Sequence, residues 1–351
     1  MADTIHASKA KSATMTKATY KSVAASANST MSTSSPVTGE NKTAHTYRHV
    51  DALISRAKQL GPIRVAIAYP CDVASIQAAM MAHQQGLIVP ILVGPIALIQ
   101  QAADAAQYAL HGIEIIDTVD EPRLAADVSA ALCRDKKAEA LMKGCLHSDE
   151  LLGAAVARDA GLRGSRRASH VFMMDVPTLD RPLILSDCVV NITPDLMEKR
   201  DITQTAIDLA HALGIEKPKV AILSAVETVN PAMQSTIDAA ALCKMADRGQ
   251  IKGGILDGPL AFDNAISSES ARIKGIVSPV AGQPDILIFP NLEAANMVYK
   301  ELMYISHAEG AGLVLGMRVP IILTSRADSV ITRIASCALA VLKSRQTIAT
   351  K

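Results

Sequence analysis

Short apolar runs alternate with amphipathic segments along most of this chain, from Tyr47 onward. A first succession of apolar runs reads RVAIAY, IVPILVG, IEIID and AEALMKG, and a second reads HVFMMDV, PLILSDC, KVAILSA, IKGGILDG and DILIF. Amphipathic stretches, the clearest at 195–213 and 232–248, lie between these runs and have the spacing of helices. Strands that alternate with helices form βαβ units with parallel strands. The sequence therefore predicts an α/β protein built from two such successions, with mainly parallel sheets.

Two of the apolar runs in the C-terminal third, DILIF and VPIILT, are each followed by a polar loop that opens an amphipathic helix. The loops read FPNLEAAN (289–296) and TSRADS (324–329). In open α/β sheets, ligands bind beyond the carboxyl ends of the strands, and helix N-termini offer free backbone N–H groups to anions. These loops are therefore the first candidates for a functional site, and phosphate is a suitable ligand.

The first 46 residues differ in composition from the rest of the chain. They are rich in Ser, Thr, Ala and Lys and contain almost no large apolar residues. Such a segment cannot bury enough apolar surface to offset the entropy that it would lose on ordering. Residues 1–46 are therefore predicted to be a disordered tail. Their lack of Arg argues against a transit peptide, and an apolar block that starts only near Val50 argues against a secretory signal.

The overall composition is that of a folded protein without a strong charge bias. Of 351 residues, 49% are hydrophobic, and 35 Lys and Arg oppose 34 Asp and Glu. This balance favours neither nucleic acid nor an anionic membrane as a partner, and no run approaches the roughly 18 apolar residues of a membrane span. The six cysteines show no C-x-x-C spacing, so neither a metal site nor a disulfide framework is predicted. A reducing cytoplasm is the expected location.

Six motifs occur in an order that resembles the phosphate acetyltransferase and phosphate butyryltransferase family. They are LMKG (141–144), SHVFMMDVP (169–177), SDCVVNITP (186–194), DGPLAFDNA (257–265), FPNLEAAN followed by Lys300, and the Ser325-Arg326 pair of TSRADS. The resemblance extends from about Arg64 to Leu342, which makes it more specific than any single motif. It implies an enzyme that exchanges a short acyl group between coenzyme A and inorganic phosphate, with no further cofactor.

The same resemblance implies an architecture similar to that of isocitrate and isopropylmalate dehydrogenases, with an active-site cleft between two α/β domains. Domain I is expected at 47–162 and 313–351, because the final strand and helix return to the first domain in this family. Domain II is expected at 163–312. A homodimer or higher homo-oligomer is expected as well.

Ser325 and Arg326 are the candidate catalytic residues. The planar fork of an arginine matches phosphate oxygens, and the resemblance places the serine at the reaction centre, where it could hydrogen-bond the thiol or the carbonyl oxygen. The alternative is structural, because Ser325 and Asp328 have the S-x-x-D spacing of a helix cap.

The helix that follows FPNLEAAN supplies three candidate substrate-binding residues, Asn291, Asn296 and Lys300. Glu293, Asn296 and Lys300 recur at helical spacing, so they share one face that could line a cleft. In the alternative, Asn291 caps the helix, Glu293 interacts with the helix dipole, and the other polar residues face water.

Lys143 and His147 are further candidates, because they follow a strand and, with Ser148, open a helix where an anion could bind. A solvated lysine and a helix-capping Ser148 explain the same pattern. The segment LRGSRR (162–167) collects three arginines that could meet the phosphates of coenzyme A, although charge runs usually face solvent.

The DGPLAFDNA loop adds Asp257 and Asn264 as candidates that line the cleft. Together with Asp263 it contains two carboxylates, which could act as acid and base. In loops, such residues more often cap helices or face solvent.

Two positions depart from the acetyltransferase branch of the family. Leu152 stands where that branch has an arginine, and Thr332 stands where it has the acidic residue proposed as the base. The loops DGPLAFDNA and TSRADS look closer to the butyryltransferase branch, which favours acyl chains longer than acetyl.

The sequence contains neither a G-x-S-x-G nor a Cys-His nucleophile motif, so direct attack in a ternary complex is the expected mechanism. Two alternatives stay open. One is a decarboxylating NAD(P)-dependent hydroxyacid dehydrogenase of similar architecture, and the other is a catalytically inactive ligand-binding homologue.

Overall fold

The computed structural model describes residues 47–324 and 328–349. The predicted tail, residues 1–46, and the candidate catalytic residues Ser325 and Arg326 lie outside the described residues.

The helices of the described residues are α1 (Arg48–Leu60), α2 (Val73–Gln84), α3 (Ile96–Ala105), α4 (Pro122–Arg134), α5 (Ser148–Val156), α6 (Leu196–Ala212), α7 (Gln234–Asp247), α8 (Phe262–Ile266), α9 (Ser268–Ile273), α10 (Leu292–Tyr304) and α11 (Val330–Ala349). The strands are β1 (Ile63–Ala68), β2 (Ile88–Gly94), β3 (Glu114–Asp117), β4 (Ala140–Lys143), β5 (Ser169–Asp175), β6 (Leu183–Ser186), β7 (Lys219–Leu223), β8 (Ile255–Leu260), β9 (Ile286–Ile288), β10 (Glu309–Leu315) and β11 (Ile321–Ile322).

All of these strands belong to one sheet, in the order β3-β2-β1-β4-β11-β10-β5-β6-β9-β7-β8. Neighbours are parallel from β3 to β11 and from β6 to β8, whereas β10 and β5 run antiparallel to both of their neighbours. The α/β class with mainly parallel strands is therefore confirmed. The described residues form one compact unit, and their division into two domains stays a prediction.

The C-terminal segment returns to the first strands of the chain. Strand β11 pairs with β4, with Ile321 opposite Leu141. Helix α11 is tied to the same half by Arg333, whose Nη1 donates to the carbonyl of Ala74 at 3.1 Å, and by Arg345, whose Nη1 meets Glu139 Oε1 at 2.9 Å. Leu323 and Thr324, the described residues that directly follow β11, therefore lie beside the end of β4.

Strand β10 was not predicted from the periodicity of the sequence, because Gly310 and Gly312 weaken its strand signal. The structure shows why glycine is needed at position 312. A Cβ there would lie 2.5 Å from Cε1 of Phe172 and 2.6 Å from Cε1 of His170. The glycine makes room for a ring stack in which the centroids of His170 and Phe172 are 4.2 Å apart and those of Phe172 and Tyr299 are 3.9 Å apart.

His170 lies at the inner end of this stack and is fully buried. Burial lowers the pKa of its imidazole to about 3, so the folded protein holds the ring neutral. An unfolded chain binds a proton at this position below pH ~6.5, whereas the folded protein does so only near pH 3. The free energy of unfolding therefore falls as the pH drops from 6.5 to about 3.

We expect the free energy of unfolding to fall by roughly 1.4 kcal/mol for each pH unit below 6.5 on account of His170. Urea denaturation at pH 7.5, 6 and 5 measures this slope in the wild type and in His170→Gln. The variant should be less stable at pH 7.5 but should show a shallower loss toward pH 5. Equal slopes in the two proteins would contradict a neutral, buried His170.

Candidate active site

A cavity of about 670 Å³ lies where the ends of β4 and β11 meet helix α10 and the start of β10. Four of the residues predicted from the sequence line it together, namely Lys143, His147, Asn296 and Lys300. They come from two separate parts of the chain, and two of them are lysines. The structure thus brings four of the nine candidate residues together in one concave surface, the shape that small-molecule sites usually have.

Lys143 is the last residue of β4 and is 7% exposed, although it faces the cavity. Its Nζ lies 3.2 Å from the carbonyl of Leu146 and 3.4 Å from that of Gly144. Gly144 allows this turn to approach β1, because a Cβ there would lie 2.4 Å from the carbonyl oxygen of Ala68. The ammonium group is therefore held in a fixed position at the wall of the cavity, where its charge is poorly screened.

His147 is the N-cap residue of α5, and its backbone N–H donates to Glu150 Oε2 at 2.7 Å. Ser148, the first residue of the helix, lines the cavity beside it. The positive end of the α5 dipole therefore adds to the charge of Lys143 on this side of the cavity.

Helix α10 forms the opposite wall. Asn296 faces the cavity and donates from Nδ2 to the carbonyl of Cys188 at 3.1 Å, and Lys300 follows one turn later with an exposed side chain. Asn291 instead caps the helix, since its Oδ1 accepts from the backbone N–H of Ala294 at 2.9 Å, and it does not line this cavity. Asn291 is thus a helix cap, as in the structural alternative, whereas Asn296 and Lys300 lie on the helix face that lines the cavity.

The loop that carries Cys188 is organised by Asp187. One carboxylate oxygen accepts the backbone N–H groups of Val189 and Val190 at 3.0 Å, and the other accepts that of Asn191 at 3.0 Å. Burial raises the pKa of the Asp187 carboxyl, while these N–H donors favour its charged form. This compact turn fixes Val189, which lines the cavity, and the carbonyl that orients Asn296.

Tyr299 was missed by the sequence reasoning. It stacks on Phe172, and its hydroxyl donates to Asp328 Oδ1 at 3.3 Å. Burial, followed by the charge of Asp328, raises the pKa of this phenol far above its usual range, so it is a permanent hydrogen-bond donor. The signal was present in the sequence, because Tyr299 lies three residues after Asn296 on the same helix face.

Glu309 was also missed, and it is an acidic group of the cavity that accepts two side-chain hydrogen bonds. Its Oε2 accepts from the hydroxyl of Ser329 at 2.8 Å and from that of Thr332 at 2.7 Å. Ser329 in turn accepts the backbone N–H of Thr332 at 3.0 Å, so it caps α11, which begins at Val330. Ser329 thus caps α11, and Asp328 accepts from Tyr299, whereas the cap predicted at Ser325 lies outside the described residues.

Asp257 and Asn264 do not line this cavity. Asp257 accepts the backbone N–H of Gly258 at 2.9 Å, and Asn264 donates to Glu227 Oε2 at 3.3 Å. Nearby, Lys274 pairs with Glu227 and with Asp263, and this contact lowers the pKa of the Asp263 carboxyl. The DGPLAFDNA segment therefore forms a polar cluster around β8, at one edge of the sheet.

The three arginines of LRGSRR also lie away from this cavity. Arg163 donates to the carbonyl of Val156, Arg166 pairs with Asp208, and Arg167 donates from Nε to Asn191 Oδ1 at 2.7 Å. Leu152, which stands in place of an arginine, packs against the hydrophobic core. The cationic side chains among the described residues of the cavity are therefore Lys143 and Lys300.

Within the described ranges, no three His, Cys, Asp or Glu side chains are grouped so that they could hold a metal ion. The same part of the chain has no helix that is both long and apolar enough to cross a membrane.

Comparison with known proteins agrees with this geometry. Residues 123–341 match the family described as Phosphate acetyl/butaryl transferase. The chain is 56% identical over 292 residues to a phosphate acetyltransferase of Rhizobium meliloti, with 83% of this chain and 92% of that protein covered. It is 42% identical over 295 residues to a phosphate butyryltransferase of Clostridium beijerinckii, with 84% and 97% covered.

A solved structure gives the same result at the level of the fold. The branched-chain phosphotransacylase from Enterococcus faecalis superposes with a TM-score of 0.71 at 27% sequence identity, and the match covers 80% of this chain and 99% of that one. The resemblance inferred from the six motifs is confirmed. This chain is a member of the phosphate acetyltransferase and phosphate butyryltransferase family.

Proposed function

We propose that this protein transfers a short acyl group between coenzyme A and inorganic phosphate, so that acyl-CoA and phosphate yield acyl phosphate and free coenzyme A. The observation that carries the proposal is the cavity itself, in which the ammonium groups of Lys143 and Lys300 and the start of α5 provide positive charge beside the imidazole of His147. A doubly charged phosphate requires such an environment. Membership of the family supplies the chemistry.

The proposed roles follow the positions of the residues. Lys143 and the start of α5 bind the phosphate, and Lys300 and His147 bind anionic groups at the mouth of the cavity. Asn296 offers an oriented amide to the acyl carbonyl. Ser325 and Arg326 are proposed as the catalytic pair on the family resemblance. Three other candidates of the sequence analysis, Asn291, Asp257 and Asn264, are assigned to capping and to the β8 cluster.

We propose that phosphate attacks the thioester directly within a ternary complex, because the sequence contains neither a G-x-S-x-G nor a Cys-His nucleophile motif. A test is the exchange of isotopically labelled coenzyme A into acyl-CoA. A covalent acyl-enzyme would form and revert without phosphate, so it would exchange the label in phosphate-free buffer. Direct attack predicts exchange only when phosphate is present. Exchange at the same rate in both buffers would contradict direct attack.

We propose that acetyl is the preferred acyl group. The higher-identity relative carries the acetyl name and the butyryl name appears at 42% identity, whereas the TSRADS and DGPLAFDNA loops favour a longer chain. A panel of acetyl-, propionyl-, butyryl- and branched acyl-CoA, assayed by thiol release with and without phosphate, ranks the substrates. Thiol release that is independent of phosphate, or NAD-dependent oxidation of a hydroxyacid, would overturn the proposed function.

A resident cofactor is not needed for this reaction, because coenzyme A acts as substrate and product. The family resemblance supports a homo-oligomer. All six cysteines are free thiols, which suits a reducing compartment such as the cytoplasm.

A further inference from the structure

Glu309 is placed where the proposed reaction needs a proton carrier. It is the first residue of β10 and lines the cavity, and hydrogen bonds hold its carboxylate in one orientation. Both hydrogen bonds from Ser329 and Thr332 arrive at Oε2, and Oε1 accepts no hydrogen bond from the described residues. One oxygen is therefore anchored, and the other is available to a substrate.

Other polar groups of the cavity surround Glu309. The hydroxyls of Ser329 and Thr332 both donate to its carboxylate, and hydrogen bonds to a carboxylate are of the stronger, charge-assisted kind. The negative charges of Glu309 and Asp175, after burial, raise the pKa of Tyr47, which lines the same cavity. Asp175 lies opposite Glu309 in the β-ladder, and its Oδ2 is occupied by the backbone N–H groups of His49 and Val50 at 2.7 and 3.0 Å.

Asp328, another carboxylate of the cavity, is placed differently. Its Oδ1 accepts from the hydroxyl of Tyr299 at 3.3 Å, and that hydroxyl belongs to the ring stack on Phe172. This contact ties Asp328 to the packing of α10. Glu309 instead lines the cavity while its Oε2 accepts from Ser329, the residue before α11, and from Thr332 within that helix.

We propose that Glu309 carries the proton during acyl transfer, an assignment that rests on the proposed function. In the forward direction, an oxygen of hydrogen phosphate attacks the thioester carbon, and Glu309 takes the phosphate proton. The C–S bond then breaks, and the leaving thiolate takes that proton from Glu309 to give the free thiol. In reverse, Glu309 removes the thiol proton of coenzyme A. The carboxylate is regenerated in each cycle, so no further reactant is needed.

The test compares Glu309→Gln with Thr332→Val in phosphate-dependent release of coenzyme A from acetyl-CoA. The amide oxygen of glutamine can still accept from Ser329 and Thr332, so the fold should be retained, but glutamine cannot carry the proton. We expect kcat to fall roughly 10²-fold or more, with KM for both substrates changed less than about threefold. Thr332→Val removes one anchor and keeps the carboxylate, so kcat should stay within about fivefold of wild type.

Thermal melts of both variants separate the chemical role from a structural one. If the carboxylate only anchors α11, Glu309→Gln keeps that anchor and should lose no more activity than Thr332→Val, and this result would overturn the assignment. Wild-type kcat in Glu309→Gln would overturn it as well, while leaving the proposed function intact. A wild-type protein that shows no phosphate-dependent release of coenzyme A would overturn the proposed function and this assignment together.

Discussion

Replacing Lys143 by methionine should lower kcat/KM for phosphate by roughly 10²-fold or more, mainly through a higher KM for phosphate. Lys143 is 7% exposed and lies at the cavity wall beside the carbonyls of Gly144 and Leu146. A charge-assisted contact to phosphate in such a poorly screened position is worth about 3 kcal/mol. Methionine keeps the length of the side chain, so the variant loses the charge without leaving a large cavity. Steady-state kinetics at varied phosphate measures the effect.

Lys274→Met is the matched control for this prediction. Lys274 is a lysine whose ammonium group pairs with the carboxylates of Glu227 and Asp263, and it does not line the cavity. Its loss should leave kcat/KM for phosphate unchanged, since exposed ion pairs contribute little to stability and nothing to this site. A wild-type KM for phosphate in Lys143→Met would show that the buried ammonium does not bind the anion.

Substitutions of Ser325 and Arg326 should have separable effects of similar size. Arg326→Ala removes the fork that is proposed to bind phosphate, so it should raise KM for phosphate and lower kcat/KM by roughly 10²-fold. Ser325→Ala should lower kcat instead, because a hydrogen bond to the reacting centre is worth most in the transition state. Initial rates at varied acyl-CoA and phosphate distinguish the two patterns.

Thermal melts of the same two variants test the capping alternative. A cap residue lost to alanine costs about 1 kcal/mol of stability and leaves the kinetics nearly normal. The structure assigns the cap of α11 to Ser329, so Ser329→Ala should show that loss of stability and Ser325→Ala should not. Normal kinetics in both Ser325→Ala and Arg326→Ala would remove this pair from the proposed mechanism.

The strands and helices with strong periodicity could be predicted from the sequence. RVAIAY, IVPILVG and HVFMMDV became β1, β2 and β5, and the predicted helices at 195–213 and 232–248 became α6 and α7. Apolar side chains that recur at the period of a strand or a helix show which face of that element is buried. This pattern can be read from the segment alone, without knowledge of its partners. The two loops after DILIF and VPIILT were located for the same reason.

The position of β10 could not be predicted, because its role depends on strands that are distant in the sequence. Gly312 looks like a strand breaker until Phe172 and His170 are seen to occupy the space of its side chain. Since Glu309 opens β10, its approach to Ser329 and Thr332 was equally hidden. The acetyltransferase branch has an acidic residue at the position of Thr332. In this chain the carboxylate of Glu309, from strand β10, accepts a hydrogen bond from Thr332 instead.

Candidate residues were predicted best where one element supplied several of them. The helical spacing of Asn296 and Lys300 fixed a shared face, and that face lines the cavity. Asp257 and Asn264 were chosen because they are polar residues of the DGPLAFDNA motif that could line a cleft. Residue type alone does not fix location, and these side chains found partners near the edge of the sheet, such as Glu227 for Asn264.

Acyl phosphate formation, followed by ³¹P NMR, tests the central claim most directly. The full-length chain is mixed with acetyl-CoA and inorganic phosphate, and Lys143→Met is run in parallel. The account predicts that the phosphate signal is converted to an acyl phosphate signal by the wild type, with an equal amount of free thiol, and that this conversion is strongly slowed in Lys143→Met. Release of the thiol with no acyl phosphate, or equal conversion by the two proteins, would contradict it.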